Sequence, residues 1–252
     1  MMMDKRHCGK SHLQLKVNSL PETVLLPGDP ARVLEIASYW DNAKEIGENR
    51  EFKTMVGRYK GMEIAACSTG IGGASTEIAV AELFQLGARR LIRVGTAGGI
   101  SPKVKPGDLV VLSGCVRYSG AADAYIPLNY PAIANYKTVM ALIGACQELD
   151  CCYHEGLGLS LDSFYASKTH LIQGKSLPSR IEPLLNEWVK AGVLQLDMET
   201  ATLFILASLL GIEAGAICTA GSNLFFDYPT TTISNGAAIS AALLAALKLA
   251  SA

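Results

Sequence analysis

The chain has 252 residues, half of them hydrophobic and 24 of them glycine, enough apolar material for a sizeable core of α/β type. Lys and Arg total 22 against 23 for Asp and Glu, a formal charge of −1 with no dense basic run, which argues against a nucleic-acid surface. The seven cysteines show no CxxC pair, and the polar start MMMDKRHCGKSH lacks the apolar stretch of a secretory signal, so reduced thiols in a cytoplasmic protein are expected.

Taken in order, Thr23–Gly28 reads as a short buried strand running into a Pro-Gly-Asp-Pro turn, followed by a helix from about Ala31 to Tyr39 with Pro30 in its first turn. Phe52–Tyr59 and Met62–Ser68 form a hairpin turning at Lys60-Gly61, and Gly70–Gly73 leads into a helix from about Ser75 to Leu86. The stretch RRLIRVGTAGG, Arg89 to Gly99, organises the rest. Leu91, Ile92 and Val94 are the apolar run of a strand buried on both faces. Gly95, Gly98 and Gly99 are expected to break it into a loop of exposed N–H groups, with Thr96 adding a hydroxyl. Further on come a strand at Asp108–Val116, a Pro-rich loop at Leu128–Ala134, a helix at Tyr136–Leu149 and a strand at Gly156–Leu161. A polar loop spans Ala166 to Ser179 and a helix runs through Trp188; Val193–Leu196 is a strand, Thr200–Leu210 a helix, Ala214–Ala220 a strand and Ser234–Leu249 a helix. The apolar stretch from Thr200 to Gly221 carries Glu213 between its helical and strand-like halves, so it reads as core and not as a membrane span. Strands alternating with helices, without repeat or linker, predict one α/β domain over residues 1–252, a mostly parallel mixed sheet flanked by helices. Ligands in such sheets collect where strands end in Gly-rich loops.

Three arginines sit beside such loops. Arg93 is either one jaw of an oxyanion clamp or the partner of a core carboxylate, because a guanidinium in a buried strand needs one of the two. Arg32, one turn into the first helix, can fold back toward the Gly28 N–H at the helix start, where the dipole favours an anion; its alternative is a solvated helix arginine. Arg50, in Asn49-Arg50-Glu51-Phe52, is a third candidate, against an exposed ion pair of little energetic weight.

PGDPARV, NREF, STGIGGASTEIA, IRVGTAGG and DMETATL follow one another in the order and spacing of the nucleoside phosphorylase/uridine phosphorylase family, and the chain resembles that family from about His12 to its last helix. CSTGIGG, PLNYPAIA and HLQL are most similar to its uridine phosphorylase branch. The resemblance implies phosphorolysis of a nucleoside, with inorganic phosphate as co-substrate, no required cofactor and no membrane or nucleic-acid partner. It also implies a homo-oligomer, a dimer at least and a hexamer of three dimers in full. By the same resemblance, Gly28, Arg32, Arg93 and Thr96 hold phosphate, with Arg50 reaching in from the neighbouring subunit. Met198 and Glu199 hold ribose, His12 crosses the dimer interface to the 5′-hydroxyl, and Phe164 packs on sugar and base. His7 is a weaker match for that histidine because its neighbours differ. Gly98 and Asn223 complete the base site, and Glu51, Ile71 and Ser75 match positions that bind a monovalent cation, potassium, at the dimer interface. Arg93, Glu199 and Arg32 carry the catalytic roles.

The base pocket departs from the pattern. Where uridine phosphorylases carry Gln and Arg after the FY motif, this chain has Lys168 and His170, able to donate to a uracil oxygen or simply to sit solvated on a loop; the arginine that usually follows the Asn is Leu224. Purine-specific relatives of this fold place an aspartic acid at the end of that strand to protonate N7. No carboxylate lies between Cys218 and Leu224, and Asp227 comes a few residues too late. Uracil leaves as a delocalised anion and needs that proton less, so a pyrimidine nucleoside is the expected substrate. A purine nucleoside phosphorylase, or a nucleoside-binding homologue without turnover, is the alternative.

Overall fold

A computed structural model describes residues 12–168, 177–226 and 233–251. Its strands are β1 (Thr23–Leu26), β2 (Asp41–Asn49), β3 (Phe52–Tyr59), β4 (Met62–Cys67), β5 (Arg90–Gly99), β6 (Leu109–Tyr118), β7 (Ala132–Ile133), β8 (Tyr153–Leu161), β9 (Gln195–Asp197) and β10 (Glu213–Asn223). The helices are α1 (Pro30–Ala37), α2 (Gly73–Gln85), α3 (Tyr136–Glu148), α4 (Leu185–Lys190), α5 (Thr200–Leu210) and α6 (Gly236–Ala250).

Pairing is parallel along β4–β1–β5–β10 and along β6–β8–β9, and antiparallel where β10 meets β6, where β9 meets β5, and through the β2–β3–β4 meander. The mixed sheet with flanking helices is the expected architecture, and it also closes on itself. β5, β9, β8, β6 and β10 pair around a ring, from which β1, β4, β3 and β2 extend as an open wing.

The apolar run of β5 explains the layering. Leu91 joins a core with Val80 and Leu83 of α2 and Leu203 and Phe204 of α5, while Ile92 and Val94 join a second core with Ile36 of α1, Leu142 of α3 and Leu243 of α6. Alternate residues of a strand point to opposite faces, so one short run anchors both layers; each buried Leu or Ile contributes roughly 1.5–3 kcal/mol. A smaller cluster around Leu159, Leu161 and Leu196 seats α4 through Leu185.

Three local readings differ from expectation. β2 carries no apolar alternation, since only Ile46 and Gly47 are buried in DNAKEIGEN, and bulges interrupt its pairing with β3; an edge strand with charged residues hides from a pattern search. The Pro-rich segment contributes β7, which pairs with Gly114 and Cys115 of β6. It is clamped from within by the Arg117 guanidinium, which donates to the carbonyls of Pro127 (2.9 Å) and Tyr130 (2.8 Å).

The third difference is at the centre. Gly95–Gly99 is not a loop: β5 continues to Gly99, paired with β10 from Cys218 to Asn223, and Gly98 and Gly99 also pair with β9. The glycines serve close approach. A Cβ on Gly95 would lie 2.8 Å from Cys218 Sγ and 2.9 Å from Arg93 Nη2, and one on Gly99 would lie 2.3 Å from Asn223 Nδ2.

Candidate active site

A cleft of about 860 Å³ is lined by residues of β5, β8, β9 and β10 and by the segments that follow β1, β4, β8 and β9. β1 delivers the first wall. Leu26 is level with Arg93 in the β1–β5 register, so the turn after β1 lies alongside the far half of β5. Asp29 caps α1 by accepting from Ala31 N at 2.8 Å, with Pro30 as the first helical residue, so Gly28 lines the cleft at a helix start. Arg32 folds back as the sequence suggests, donating to Val94 O (3.2 Å) and Thr96 Oγ1 (3.0 Å). Both acceptors are neutral. Burial, and next the Arg93 charge, lower the Arg32 pKa, which marks a cation held without full compensation.

Arg93 pairs with core carboxylates, one of its two expected readings. It is 4% exposed, its Nε donates to Asp197 Oδ2 at 3.0 Å, and its Nη2 donates to Glu199 Oε2 at 2.6 Å. Nη1 is buried with no hydrogen-bond partner among the described residues, and Arg93 lines the cleft. Burial alone would lower its pKa, but Glu199 and Asp197 outweigh that and raise it, so it stays a cation. A guanidinium gripped by carboxylates on two nitrogens, with a third unpaired among the described residues, has a donor left over that another oxyanion could take.

Asp197 is the residue that sequence reasoning passed over, although it opens the DMETATL motif. Ser160 Oγ donates to its Oδ1 at 2.6 Å, and the Thr200 hydroxyl donates to Oδ2, so the carboxylate cannot swing away. Glu199 begins α5 but does not cap it. Gly72 N donates to Glu199 Oε1 at 2.7 Å, from a backbone with φ of 93° that glycine adopts without strain, and Met198 N donates to Oε2 at 3.3 Å. Burial raises the Glu199 pKa and the neighbouring Asp197 adds to this, while Arg93 pulls the other way.

On the opposite wall Phe164 follows β8, and Lys168 sits with its ammonium 4.6 Å from the Phe164 ring centroid. Lys168 is 5% exposed and pairs with no carboxylate among the described residues. A Cβ on Gly98 would lie 3.5 Å from its Nζ, so this ammonium overlooks the floor of the cleft.

The cleft therefore brings together Gly28, Arg32, Arg93, Thr96, Gly98, Phe164, Lys168, Met198 and Glu199, with Glu51 and Ile71 at its rim. Ser75 donates to Glu51 Oε1 at 2.7 Å, and that hydrogen bond is the main reason the Glu51 pKa is lowered. The Ser75 hydroxyl also lies 2.5 Å from Thr69 O, so carboxylate, hydroxyl and carbonyl oxygens meet there, a donor set that suits a hard cation.

Two expected residues lie away from their own cleft. Arg50 is exposed at the tip of the β2–β3 hairpin, with φ of 54°. His12 Nδ1 lies 2.8 Å from Glu82 Oε1 on the partly exposed flank of α2. Asn223 does not line the cleft: its Nδ2 donates to Ser101 O (2.9 Å) and Val104 O (2.6 Å) and its Oδ1 accepts from Phe225 N (2.8 Å), which ties the end of β10 to the 101–104 turn. His170, His7 and Asp227 lie outside the described residues. Asn235, at the start of α6, accepts from Thr96 Oγ1 at 3.1 Å, and no sequence signal pointed to it.

Residues 22–250 match the model of the phosphorylase superfamily. A uridine phosphorylase of Thermococcus kodakarensis is 42% identical over 212 residues, covering 84% of this chain and 76% of that protein. A uridine phosphorylase of Escherichia coli is 37% identical over 209 residues (82% and 83%), and a guanosine phosphorylase of Halorubrum lacusprofundi is 35% identical over 213 residues (84% and 83%). With the family model spanning almost the whole length, and with relatives matched well above 30% identity over most of theirs, the chain belongs to the phosphorylase superfamily.

Proposed function

We propose that this chain is a uridine phosphorylase, a single-domain enzyme converting uridine and inorganic phosphate reversibly to uracil and ribose 1-phosphate. The observation that carries the reading is a buried Arg93 Nη1 without a hydrogen-bond partner among the described residues, on a guanidinium that holds the Glu199 carboxylate through Nη2 and lies near enough to Arg32 to lower its pKa. Phosphate binds to Gly28, Arg32, Arg93 and Thr96, with Arg50 supplied by a second copy. Glu199 accepts from the ribose hydroxyls, with Met198 beneath the sugar and His12 of a second copy at the 5′-hydroxyl.

In the reaction a phosphate oxygen forms a bond to C1′ while the C1′–N1 bond breaks, its electron pair leaving with uracil. Positive charge develops on the sugar, so the dianion serves as nucleophile and counter-charge, and the protein acts chiefly by holding it in line. Each fixed donor or acceptor is worth on the order of 2–4 kcal/mol. Phe164 packs against the base, with Gly98 as the floor, and Lys168 stabilises the departing anion together with His170. The active unit is a homo-oligomer, dimer at least and hexamer in full. Glu51, Ile71 and Ser75 hold a potassium ion at the dimer interface, and no other cofactor is required. A cytoplasmic location agrees with the thiols of Cys67, Cys115, Cys146, Cys151, Cys152 and Cys218, all free, and with no helix among the described residues being long and apolar enough to cross a membrane.

A purine nucleoside is the second reading, supported by the guanosine phosphorylase relative. A spectrophotometric assay with and without phosphate, across uridine, thymidine, inosine, guanosine and adenosine, tests both. Uracil release that requires phosphate is expected. Purine release in its place moves the assignment to the second reading, and binding without turnover overturns both.

A further inference from the structure

Away from the cleft, the starts of β6 and β8 bring together three different metal-ligating side chains. Asp108 immediately precedes β6, Cys152 precedes β8, and His154 is the second residue of β8. The two strands run parallel with Leu109 matched to Tyr153 and Val110 to His154, and Leu109 N donates to Cys152 O at 3.0 Å. That register sets Asp108 beside Cys152. Residues two apart on a strand share a face, so Cys152 and His154 project on the same side. An Asp108 carboxylate oxygen, the Cys152 sulfur and a His154 ring nitrogen all lie within 4.8 Å of one another. None of the three lines the cleft.

The cluster is fixed in place before any ion arrives. Asp108 Oδ2 accepts from Lys105 N at 2.8 Å and lies 2.9 Å from His154 Nε2, with the Asp108 and His154 side chains 12% and 25% exposed. Cys152 is exposed, which leaves one side open to solvent for an ion and its remaining water. Donors of a tetrahedral zinc set stand roughly 3–4 Å apart, close to the 4.8 Å within which these three atoms lie.

We propose that Asp108, Cys152 and His154 form a binding site for a zinc-class divalent cation, with water as the fourth ligand. The chemistry of the donors selects the ion. A thiolate and an imidazole suit zinc or cobalt, whereas magnesium and calcium take sets made of oxygen. Binding joins the metal to the Cys152 sulfur and releases the thiol proton to solvent, with no change of oxidation state. The bound ion staples β6 to β8 and fixes the turn before β6, to which Asn223 is tied through Ser101 and Val104.

The experiment is a titration of the full-length protein with cobalt(II), following the thiolate-to-cobalt charge-transfer band, alongside thermal unfolding with and without zinc. Wild type is expected to give the band at one ion per chain and to gain a few degrees in unfolding midpoint at about a hundred-fold excess over Kd. Cys152→Ser and His154→Ala are expected to lose both responses while keeping phosphate-dependent turnover, which certifies their fold. Should either variant fold poorly, Asp108→Asn supplies the same comparison through weakened uptake. A wild type without band or shift, or a band that survives in Cys152→Ser, overturns the site and leaves the phosphorylase reading untouched.

Discussion

Arg93 and Asp197, 104 residues apart in the chain, are joined by a 3.0 Å hydrogen-bonded ion pair in which the side chains are 5% and 2% exposed. A buried pair adds little net stability, but loss of one partner strands the other charge. Its effect here is geometric. Asp197, itself held by Ser160 and Thr200, fixes the plane of the guanidinium, so that Glu199 takes Nη2 and Nη1 is left unpartnered beside the cleft.

Asp197→Asn therefore acts on phosphate before it acts on nucleoside. It keeps the shape but weakens the grip on Nε, and a misplacement of about 1 Å in such a site costs about a hundred-fold. Initial rates against phosphate concentration are expected to show KM for phosphate raised by about ten- to a hundred-fold, with KM for uridine nearly unchanged. Equal changes in both would assign Asp197 a merely structural part.

Arg93→Lys retains the charge and loses the fork. We expect kcat/KM to fall by about 10²–10³ while the protein remains folded. Arg93→Ala strands Asp197 and Glu199 together and is expected to cost roughly 3–5 kcal/mol in stability, read by denaturant unfolding.

The position of Arg50, exposed at a hairpin tip away from its own cleft, makes a subunit-mixing test decisive. Arg50→Ala and Glu199→Gln are each expected to be nearly inactive. Mixed after dissociation, they should regain activity, because one site of each hybrid dimer receives an intact Arg50 from one copy and an intact Glu199 from the other. Hybrids as inactive as the parents would place Arg50 outside the partner's site.

In the proposed site Glu199 accepts from the ribose hydroxyls as a carboxylate, and burial raises its pKa above the ordinary 4.5. Activity is thus lost as pH falls through a value higher than that of a solvated carboxyl. The acid limb of kcat/KM is expected above pH 4.5, and Glu199→Gln is expected to remove the limb together with most of the rate.

Lys168 is a buried ammonium against Phe164, without a carboxylate partner among the described residues. Lys168→Met removes the charge proposed to stabilise the leaving base and is expected to lower kcat by about ten- to a hundred-fold, with phosphate affinity retained. Lys168→Gln restores the residue that uridine phosphorylases usually carry and should recover much of the loss.

The sequence was most legible where local pattern and global need coincide. Leu91, Ile92 and Val94 announced a strand buried on both faces, and they do anchor two cores. Pro30 and the Gly28 turn announced a helix start facing a ligand cleft, and Arg32 folds back as its position allows. Legibility failed where the cause lies on a distant segment. The glycines of β5 looked like a loop because glycine usually frees the backbone, yet Gly95 and Gly99 are small because Cys218 and Asn223 press against them. Nothing near Asn223 in the sequence foretold that its amide would bond two carbonyls and a backbone N–H across the 101–104 turn.

Periodicity and punctuation by themselves determined the element order, the α/β class and the family motifs, because each is written within a few neighbouring residues. Only the folded chain decided that β5, β9, β8, β6 and β10 close into a ring, that Asp197 orients Arg93, and which polar groups are left without partners among the described residues. Those are relations between segments far apart in the chain, and they arise when burial forces each charge and each N–H to find whatever group the packing brings to it.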